Sequence, residues 1–199
     1  MKKRAWKRLL ALIIGLAMVL PAAVPALAWS GTNENALFAM AAYQAQQVTE
    51  PTVSQSGGEW LIIALARSGT PVPEGYYDKY YRNVETKLKE NGGVLSSTKN
   101  TEYARVILAL TAIGKDPRNV ADYDLTKPLA DYDRTIRQGV NGAIFALIAL
   151  NSGGYDDPAE GKYLSYILSA QNKDGGFGLA KGSPSGVDLT AMAVQALAP

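Results

Sequence analysis

The chain has 199 residues, a formal net charge of +2, and neither cysteine nor histidine. Without these two residue types it has no disulfide scaffold, no zinc site built from thiolate or imidazole ligands, and no nucleophilic catalysis of the Ser-His-Asp or Cys-His kind. Carboxylates, tyrosines, lysines and arginines remain as the groups available for chemistry. The sequence predicts neither a metal nor a cofactor.

The first 28 residues have the three parts of a secretory signal peptide. A basic start, MKKRAWKR, precedes an apolar run from Leu9 to Leu20, and Ala26-Leu27-Ala28 is a small-x-small cleavage site. An apolar run of about 12 residues is too short for a membrane-spanning helix, which needs ~20. We therefore expect cleavage after Ala28, no membrane span in the mature chain, and a secreted or cell-surface domain of residues 29–199.

The basic character of the whole chain belongs to this leader. Residues 1–28 hold five of the 20 basic residues and none of the 18 acidic ones, so the remainder has a formal net charge of −3. A mature domain with this balance lacks the basic patch of a nucleic-acid-binding protein. DNA and RNA are accordingly not expected as partners.

After a first predicted helix at residues 33–47, four similar segments follow one another along the chain. They share an Ala-Leu pair that begins at Ala64, Ala109, Ala149 and Ala196. Eight positions before each alanine stands a residue type favoured as a helix N-cap: Ser56, Thr101, Asn141 and Asp188. Five positions after the first three alanines stand Gly69, Gly114 and Gly154, which suit the left-handed end of a helix. The pattern predicts helices of about 12 residues.

These four helices are apolar nearly all round, whereas the segments between them are amphipathic. The predicted apolar stripes of the intervening helices are Tyr77, Tyr81, Val84 and Leu88 in one, and Leu164, Ile167 and Leu168 in the other. Buried helices that alternate with amphipathic ones indicate an inner and an outer layer. The sequence thus predicts an all-α fold of αα-hairpin repeats, and the period alone leaves open whether they form a solenoid or a closed ring.

The closing stretch, QNKDGGFG followed by VDLTAMAVQALA, resembles the repeat of the prenyltransferase and squalene-cyclase superfamily. WLIIALARSG, TEYARVILALTAIGKDP and IFALIALNSGGYD are similar to an exported bacterial branch of it. The resemblance implies an α/α toroid of concentric inner and outer helices, a fold also found in terpene cyclases, protein prenyltransferases and cobalamin carriers. A complete toroid of that kind has about six hairpins, so the four counted here imply a partial ring with further hairpins on its C-terminal side.

The resemblance also gives a role to the glycine-rich loop. Gln171, Gly175 and Phe177 match the family's Q-x-x-x-G-x-W pattern, with phenylalanine in place of tryptophan, and Gly176 lies between them. In the family the glutamine bonds to neighbouring backbone and the ring packs between repeats, which implies a structural joint. A calcium loop is the alternative, and we reject it because Ser183 stands where the bidentate glutamate would be.

The chain lacks the catalytic motifs on which the activities of the family depend. A proton-initiated cyclase would need Asp-x-Asp-Asp, but the motifs at Asp122 and Asp131 lack the final aspartate and lie in a polar connection. Zinc-dependent prenyl transfer is excluded by the missing cysteine and histidine, and the D-D-x-x-D motif of diphosphate ionisation is absent. Cobalamin would find no histidine to coordinate its cobalt.

The candidate site residues lie near the starts of the four inner helices. The candidate ligand-binding residues are Glu59, Trp60, Glu102, Arg105, Asn141, Phe145 and Asp188. Among them, the carboxylates of Glu59, Glu102 and Asp188 could act as the catalytic pair of a carbohydrate-active enzyme, or simply favour the positive ends of helices.

Four residues before each repeat alanine stand Trp60, Arg105, Phe145 and Met192, which would point the same way in a ring. They form either a ligand surface or part of the core. Arg105 either pairs with Glu102 three residues earlier or binds an anionic ligand. We predict an exported, non-catalytic module that binds a ligand or an extracellular partner; the alternatives are a degenerate terpene cyclase and a carbohydrate-active α/α-toroid enzyme.

Overall fold

A computed structural model describes residues 32–55 and 57–198. The predicted signal peptide, residues 1–28, lies outside the described residues. The helices in chain order are α1 (Thr32–Gln47), α2 (Glu59–Ser68), α3 (Tyr76–Glu90), α4 (Asn100–Ala112), a 3₁₀ turn (Lys127–Ala130), α5 (Tyr132–Ile136), α6 (Gly139–Ser152), α7 (Glu160–Ser169) and α8 (Val187–Leu197).

The fold is all-α, as predicted. Within the described ranges no strand occurs, and pairing between extended residues is limited to two isolated bridges, Val120 with Tyr123 and Phe177 with Gly186. The four aligned segments form α2, α4, α6 and α8, which pack in a row, each against the next. Helix α1 packs on α2, and α7 packs on α6. The predicted first helix, at residues 33–47, corresponds to α1.

The core is centred on α4 and α6, which are buried on several sides. In α4 the fully buried side chains include Val106, Ile107 and Leu110, and in α6 they include Ile144 and Leu150. Alanines at 104, 109, 143, 146 and 149 are also buried and let the helix backbones approach closely. The flanking helix α8 buries only Ala193 and Ala196, so burial falls off toward the end of the row.

The predicted N-caps are wrong for all four helices. Thr101, Asn141 and Asp188 lie inside the first turns of α4, α6 and α8, whose N-cap residues are Lys99, Gln138 and Gly186. Ser56 lies outside the described residues, and the N-cap residue of α2 is Gly58.

The physical reason is that distant groups satisfy the orphan N–H groups of two of these helices. The Oε1 atom of Gln138 accepts from the backbone N–H of Thr101 at 3.0 Å, and Nε2 of Gln138 donates to Oγ1 of Thr101 at 2.8 Å. The backbone N–H of Val140 donates to the carbonyl of Leu179 at 2.9 Å. Tertiary hydrogen bonds therefore satisfy N–H groups that a local N-cap side chain would satisfy in an isolated helix.

The helix ends behave as the glycine pattern predicts. Gly69, Gly114 and Gly154 have φ angles of 66°, 72° and 63°, in the left-handed region. After α4 the N–H of Lys115 donates to the carbonyl of Leu110 at 2.9 Å, and after α6 the N–H of Tyr155 donates to the carbonyl of Leu150 at 2.9 Å. Glycine at these positions terminates each helix without the steric strain of a side chain.

The buried stripes of the amphipathic helices differ from the prediction. In α3 the buried residues are Tyr76, Tyr80, Val84 and Leu88, at strict four-residue spacing, while Tyr77 and Tyr81 are only half-buried. Helix α3 is fastened to the α1–α2 connection, because the Tyr76 hydroxyl donates to the carbonyl of Val48 at 2.7 Å.

In α7 the buried residues are Tyr163 and Ile167, while Leu164 and Leu168 are exposed. The tyrosine faces the core in place of a leucine because its hydroxyl finds buried partners there. It donates toward the carbonyl of Leu129 and lies 3.0 Å from Oγ1 of Thr135. A buried phenol is tolerated when its O–H is hydrogen-bonded in this way.

Thr135 is the centre of a buried polar network that joins four elements. Its hydroxyl donates to the carbonyl of Asp131 at 2.8 Å and accepts from Nδ2 of Asn100 at 2.7 Å, in addition to the contact from Tyr163. Nδ2 of Asn100 also donates to the carbonyl of Pro128 at 2.7 Å. The Thr135 hydroxyl thus contacts the backbone of Asp131, the Asn100 amide and the Tyr163 hydroxyl, which connects α4, the 3₁₀ turn, α5 and α7.

The α4–α6 connection is more ordered than the expected polar loop, since it contains the 3₁₀ turn and α5. Asp131 is the N-cap of α5, and its Oδ1 accepts from the N–H of Arg134 at 3.0 Å. The second Asp-Tyr-Asp motif therefore begins with a capping residue.

The glycine-rich loop makes the contacts expected of a joint. Nε2 of Gln171 donates to the carbonyl of Gly175 at 2.9 Å, and Gly175 has a φ of 84°. Phe177 is buried, and its N–H donates to Oγ1 of Thr190 on α8 at 3.0 Å. Oδ1 of Asp174 accepts from the N–H of Gly176 and from the Ser185 hydroxyl, which together hold the pKa of Asp174 below its ordinary value. These contacts support the structural interpretation.

Replacing Gly176 by valine should destabilise the fold by about 1–3 kcal/mol, because a Cβ at Gly176 would lie 2.6 Å from the Ser185 side chain. Gly161, on the exposed side of α7, has open space around its Cβ position, so Gly161→Ala is the control and should leave stability unchanged or raise it. Urea unfolding measures both. A Gly176→Val protein with wild-type stability but lost ligand binding would contradict the structural role of the loop.

Burial raises the pKa of Tyr163 to about 12 from an ordinary value of 10.0. Because the folded chain keeps this proton longer than the unfolded chain, the free energy of unfolding should hold below pH ~10 and fall toward pH ~12. Tyr163→Phe should cost about 1–3 kcal/mol at neutral pH, because it removes the buried O–H that lies between the carbonyl of Leu129 and the Thr135 hydroxyl.

Tyr163→Phe should also make the alkaline fall in stability smaller. Part of the fall should remain, because burial also raises the pKa of Tyr80. Urea titrations between pH 8 and 12 test this, with Tyr43→Phe on the exposed side of α1 as control. An unchanged alkaline slope in Tyr163→Phe would show that this phenol does not contribute.

Candidate functional site

Three of the four register-equivalent residues meet in one pocket. Trp60 from α2, Phe145 from α6 and Met192 from α8 line a cavity of about 700 Å³. The rings of Trp60 and Phe145 lie 5.7 Å apart between centroids and are tilted by 58°, an attractive arrangement for an aromatic pair. The row of α2, α4, α6 and α8 therefore places side chains from widely separated parts of the sequence around a single space.

The walls of the pocket continue one turn further along the same helix faces. Ile63, Leu108 and Ile148 each follow the first position by three residues in α2, α4 and α6, and residues three apart share a helix face. The volume lies within the roughly 300–1,000 Å³ of small-molecule sites, which are mostly apolar with a few polar groups. The walls are accordingly suited to the apolar part of a small molecule.

Polar groups are gathered toward the C-terminal ends of the same helices. Arg67, Asn151, Ser152 and Gln195 line the pocket there. The Ser152 hydroxyl donates to the carbonyl of Ala149 at 2.7 Å, so its proton is already used. The side chains of Arg67, Asn151 and Gln195 form no hydrogen bond or ion pair with any other described residue. The pocket thus has an apolar body and a polar end with free donors.

Arg105, the fourth register-equivalent residue, does not line the pocket. Its Nη2 donates to Oε2 of Glu102 at 2.5 Å, and its Nε lies 3.9 Å from Oε2 of Glu59. The expected ligand surface of three apolar groups and a guanidinium is therefore corrected to three apolar groups. The guanidinium instead faces two carboxylates, as in the structural alternative, because a partly buried charge is stabilised by a counter-charge.

Glu59 is the most buried member of this cluster, with 2 % of its surface exposed. Its Oε1 accepts from the backbone N–H of Ser54 at 2.7 Å and from the Tyr80 hydroxyl at 3.4 Å. Burial, and then the neighbouring Glu59 carboxylate, raise the pKa of Tyr80 well above its ordinary value. The cluster ties α2, α3 and α4 together.

The remaining predicted site residues are not brought to the pocket. Asp188 is exposed on the first turn of α8, and Asn141 is half-buried in α6; neither lines the pocket. The three carboxylates proposed to share one mouth therefore divide into the pair on Arg105, formed by Glu59 and Glu102, and Asp188, which has no hydrogen bond or ion pair to that pair.

The aspartates of the first Asp-Tyr-Asp motif also lie away from the pocket lining. Asp122 is exposed and has a left-handed φ of 69°. Oδ1 of Asp124 accepts from the backbone N–H and the hydroxyl of Thr126, at 2.9 and 2.6 Å. This pattern is that of a turn stabilised by a local side chain.

The described part of the chain contains neither a cluster of metal ligands nor a membrane-spanning helix. Among residues 32–55 and 57–198, no group of three or more acidic residues is placed to hold a metal ion. No helix in these same ranges combines the length and apolarity needed to cross a membrane.

Most residues of the pocket were not predicted from the sequence. Residues 63, 67, 108, 148, 151, 152 and 195 were not named, although most lie on the same helix faces as Trp60, Phe145 and Met192. The available signal was the helical period: stepping three and seven residues on from Trp60 reaches Ile63 and Arg67. The equivalent steps in the other repeats reach Leu108, Ile148, Ser152 and Gln195.

Comparison with known proteins adds no relative. No protein-family model, no curated protein and no solved structure shows significant similarity to the chain.

Arg105→Gln should lower the free energy of unfolding by about 1–3 kcal/mol, since it leaves the buried Glu59 carboxylate without its cationic neighbour. Lys79→Gln is the matched control, because it removes an exposed ion pair to Glu50 and should cost at most about 1 kcal/mol. Urea unfolding of both variants measures the difference. Equal losses of unfolding free energy in the two variants would contradict the structural assignment of Arg105. A stable Arg105→Gln protein that has lost ligand binding would also contradict it.

Proposed function

We propose that this chain is an exported, non-catalytic α/α-toroid module that binds an apolar small molecule in the pocket between α2, α4, α6 and α8. The observation that carries the proposal is the convergence of Trp60, Phe145 and Met192 on one cavity of about 700 Å³. These residues hold the same register position in different repeats. A row of repeats that turns one helix face toward a common space is the arrangement by which repeat proteins build binding surfaces.

The resemblance to the prenyltransferase and squalene-cyclase superfamily is part of this proposal. It is supported by the packing of α2, α4, α6 and α8 in chain order and by the loop contact from Gln171 to the carbonyl of Gly175. In a toroid, the inner helices turn their free face toward a central cavity, and the pocket lies on that face. Export is proposed from the leader sequence alone.

The absence of catalysis is proposed from the groups around the pocket. No carboxylate, lysine or tyrosine lines the pocket in the described structure, and Arg67 is the single charged residue among its walls. General acid or base catalysis requires a titratable group within hydrogen-bond reach of the substrate. No observation favours the cyclase or the carbohydrate-active alternative over binding.

Binding of the neutral apolar dye Nile red should test the pocket directly. The wild-type protein should bind one dye molecule with enhanced emission. Met192→Glu should weaken binding at least about tenfold, because it places a charge in an apolar cavity. Leu168→Glu is the matched control: it introduces the same charge on the exposed side of α7, away from the pocket lining, and should bind the dye as the wild type does.

Circular dichroism of both variants checks that they remain folded. Absence of dye binding by the wild type, or equal binding by a folded Met192→Glu protein, would overturn the binding proposal. Turnover of squalene or of an isoprenoid diphosphate that is lost on changing Asp122 or Asp124 to asparagine would overturn the non-catalytic part.

A further inference from the structure

We propose that the pocket binds an anionic amphiphile with a single acyl chain, of which a medium-chain carboxylate is the simplest member. The acyl chain lies along the apolar walls, and the head group is held by the guanidinium of Arg67 with the side-chain amides of Asn151 and Gln195. This inference rests on the proposed binding function and adds the chemical class of the ligand.

The first argument is the separation of apolar and polar groups along the pocket. Trp60, Ile63 and Arg67 lie on one face of α2, at steps of three and four residues. Seven residues of α-helix rise about 10 Å, so the aromatic end and the guanidinium end lie about that far apart. An extended chain advances ~1.2 Å per bond, and about nine bonds, as in decanoate, span the same length.

The second argument is charge. Among the described residues that line the pocket, Arg67 is the one cation and no carboxylate occurs. The chain after the leader has a formal net charge of −3, so the pocket differs in sign from the rest of the domain. An unpaired guanidinium presents several N–H groups that match a carboxylate in bidentate geometry.

The third argument concerns hydrogen bonds that the protein itself does not use. Arg67 and Gln195 are exposed and Asn151 is half-buried; all three line the same pocket, and their side chains have no partner among the described residues, so they are accessible to a bound head group. Two amide NH₂ groups and a guanidinium are a set of donors, and a head group with several acceptor oxygens is their complement.

Two features oppose the binding of an anion at the polar end of the pocket. The C-terminal ends of helices carry a partial negative charge of about −0.5, which falls off within the last turn, whereas Arg67 carries a full positive charge. Glu160 lines a neighbouring cleft that shares Asn151 and Ala196 with the pocket, but it does not line the pocket itself. Three such ends, those of α2, α6 and α8, meet at this end of the pocket, so the preference for an anion rests on direct contact of the head group with the guanidinium and not on the summed local charge.

The experiment compares three ligands with the same chain and different head groups: decanoate, decanol and decyltrimethylammonium, each below its micelle concentration. Trp6→Phe and Trp29→Phe leave Trp60 as the only tryptophan, and its fluorescence reports entry of the chain. We expect decanoate to bind about tenfold more tightly than decanol, and the ammonium compound to bind more weakly than either.

Arg67→Met in this background should reduce decanoate affinity to that of decanol and leave decanol affinity unchanged, while Arg67→Lys should keep part of the preference. Arg82→Met, on the exposed side of α3, is the matched control and should keep the whole preference. The same pattern of fluorescence change in all folded variants shows that the chain occupies the same place.

The outcomes separate the two proposals. Equal binding of decanoate and decanol by the wild type, tighter binding of the ammonium compound, or an unchanged preference in Arg67→Met would overturn the anionic head group, whereas Nile red binding that is lost in Met192→Glu would still support the pocket. Failure of all three ligands to bind, with Nile red binding retained, would overturn the acyl-chain assignment alone. Failure of the dye as well would overturn the binding function.

Discussion

Helices α4 and α6 are apolar around most of their circumference, and the rest of the structure depends on covering them. Their aliphatic side chains and buried alanines leave no broad face that water could solvate without a large hydrophobic penalty. Helices α2 and α8 cover them along the row, and α7 covers α6 from the side. The helices are thus arranged so that the apolar surfaces of α4 and α6 are buried.

The buried polar groups determine how the outer elements fit around this centre. Apolar packing alone tolerates several alignments, whereas the hydroxyl of Thr135 requires Asn100, Asp131 and Tyr163 to be placed together. A misaligned α7 would leave buried donors without acceptors, which costs more than the hydrogen bonds gain. The cluster of Glu59, Arg105 and Tyr80 acts in the same way between α2, α3 and α4. We infer that these networks contribute more to specificity than to net stability.

Sequence reasoning predicted the parts of the fold that are locally encoded. The all-α class, the positions of the inner helices and the left-handed glycines at 69, 114 and 154 follow from periodicity and from the steric freedom of glycine. The N-caps were wrong because Gln138 and the carbonyl of Leu179 satisfy helix N–H groups from far along the chain. Such contacts exist only once the tertiary structure has formed.

The dependence on tertiary contacts also explains the errors at the amphipathic helices and at the site. Tyr163 faces inward because of a buried partner on α5, and hydrophobicity alone favours Leu164 and Leu168 instead. For Trp60 and Phe145, register alone left open whether they form a ligand surface or part of the core. Arg67 could not be predicted as a site residue, because the helix dipole already explains an arginine at a helix C-terminus. Its place in the pocket lining is evident only from the structure.

The pocket and the Glu59 cluster are connected because one repeat has an arginine at the position where the other three have a large apolar residue. At the first register position, α2, α6 and α8 place Trp60, Phe145 and Met192 toward the common space, but α4 has Arg105 there. Because Glu102 and Glu59 hold the guanidinium, α4 contributes to the lining only Leu108, one turn further on. The ion cluster therefore stabilises the contact of α2 with α4 and holds the Arg105 guanidinium away from the pocket lining.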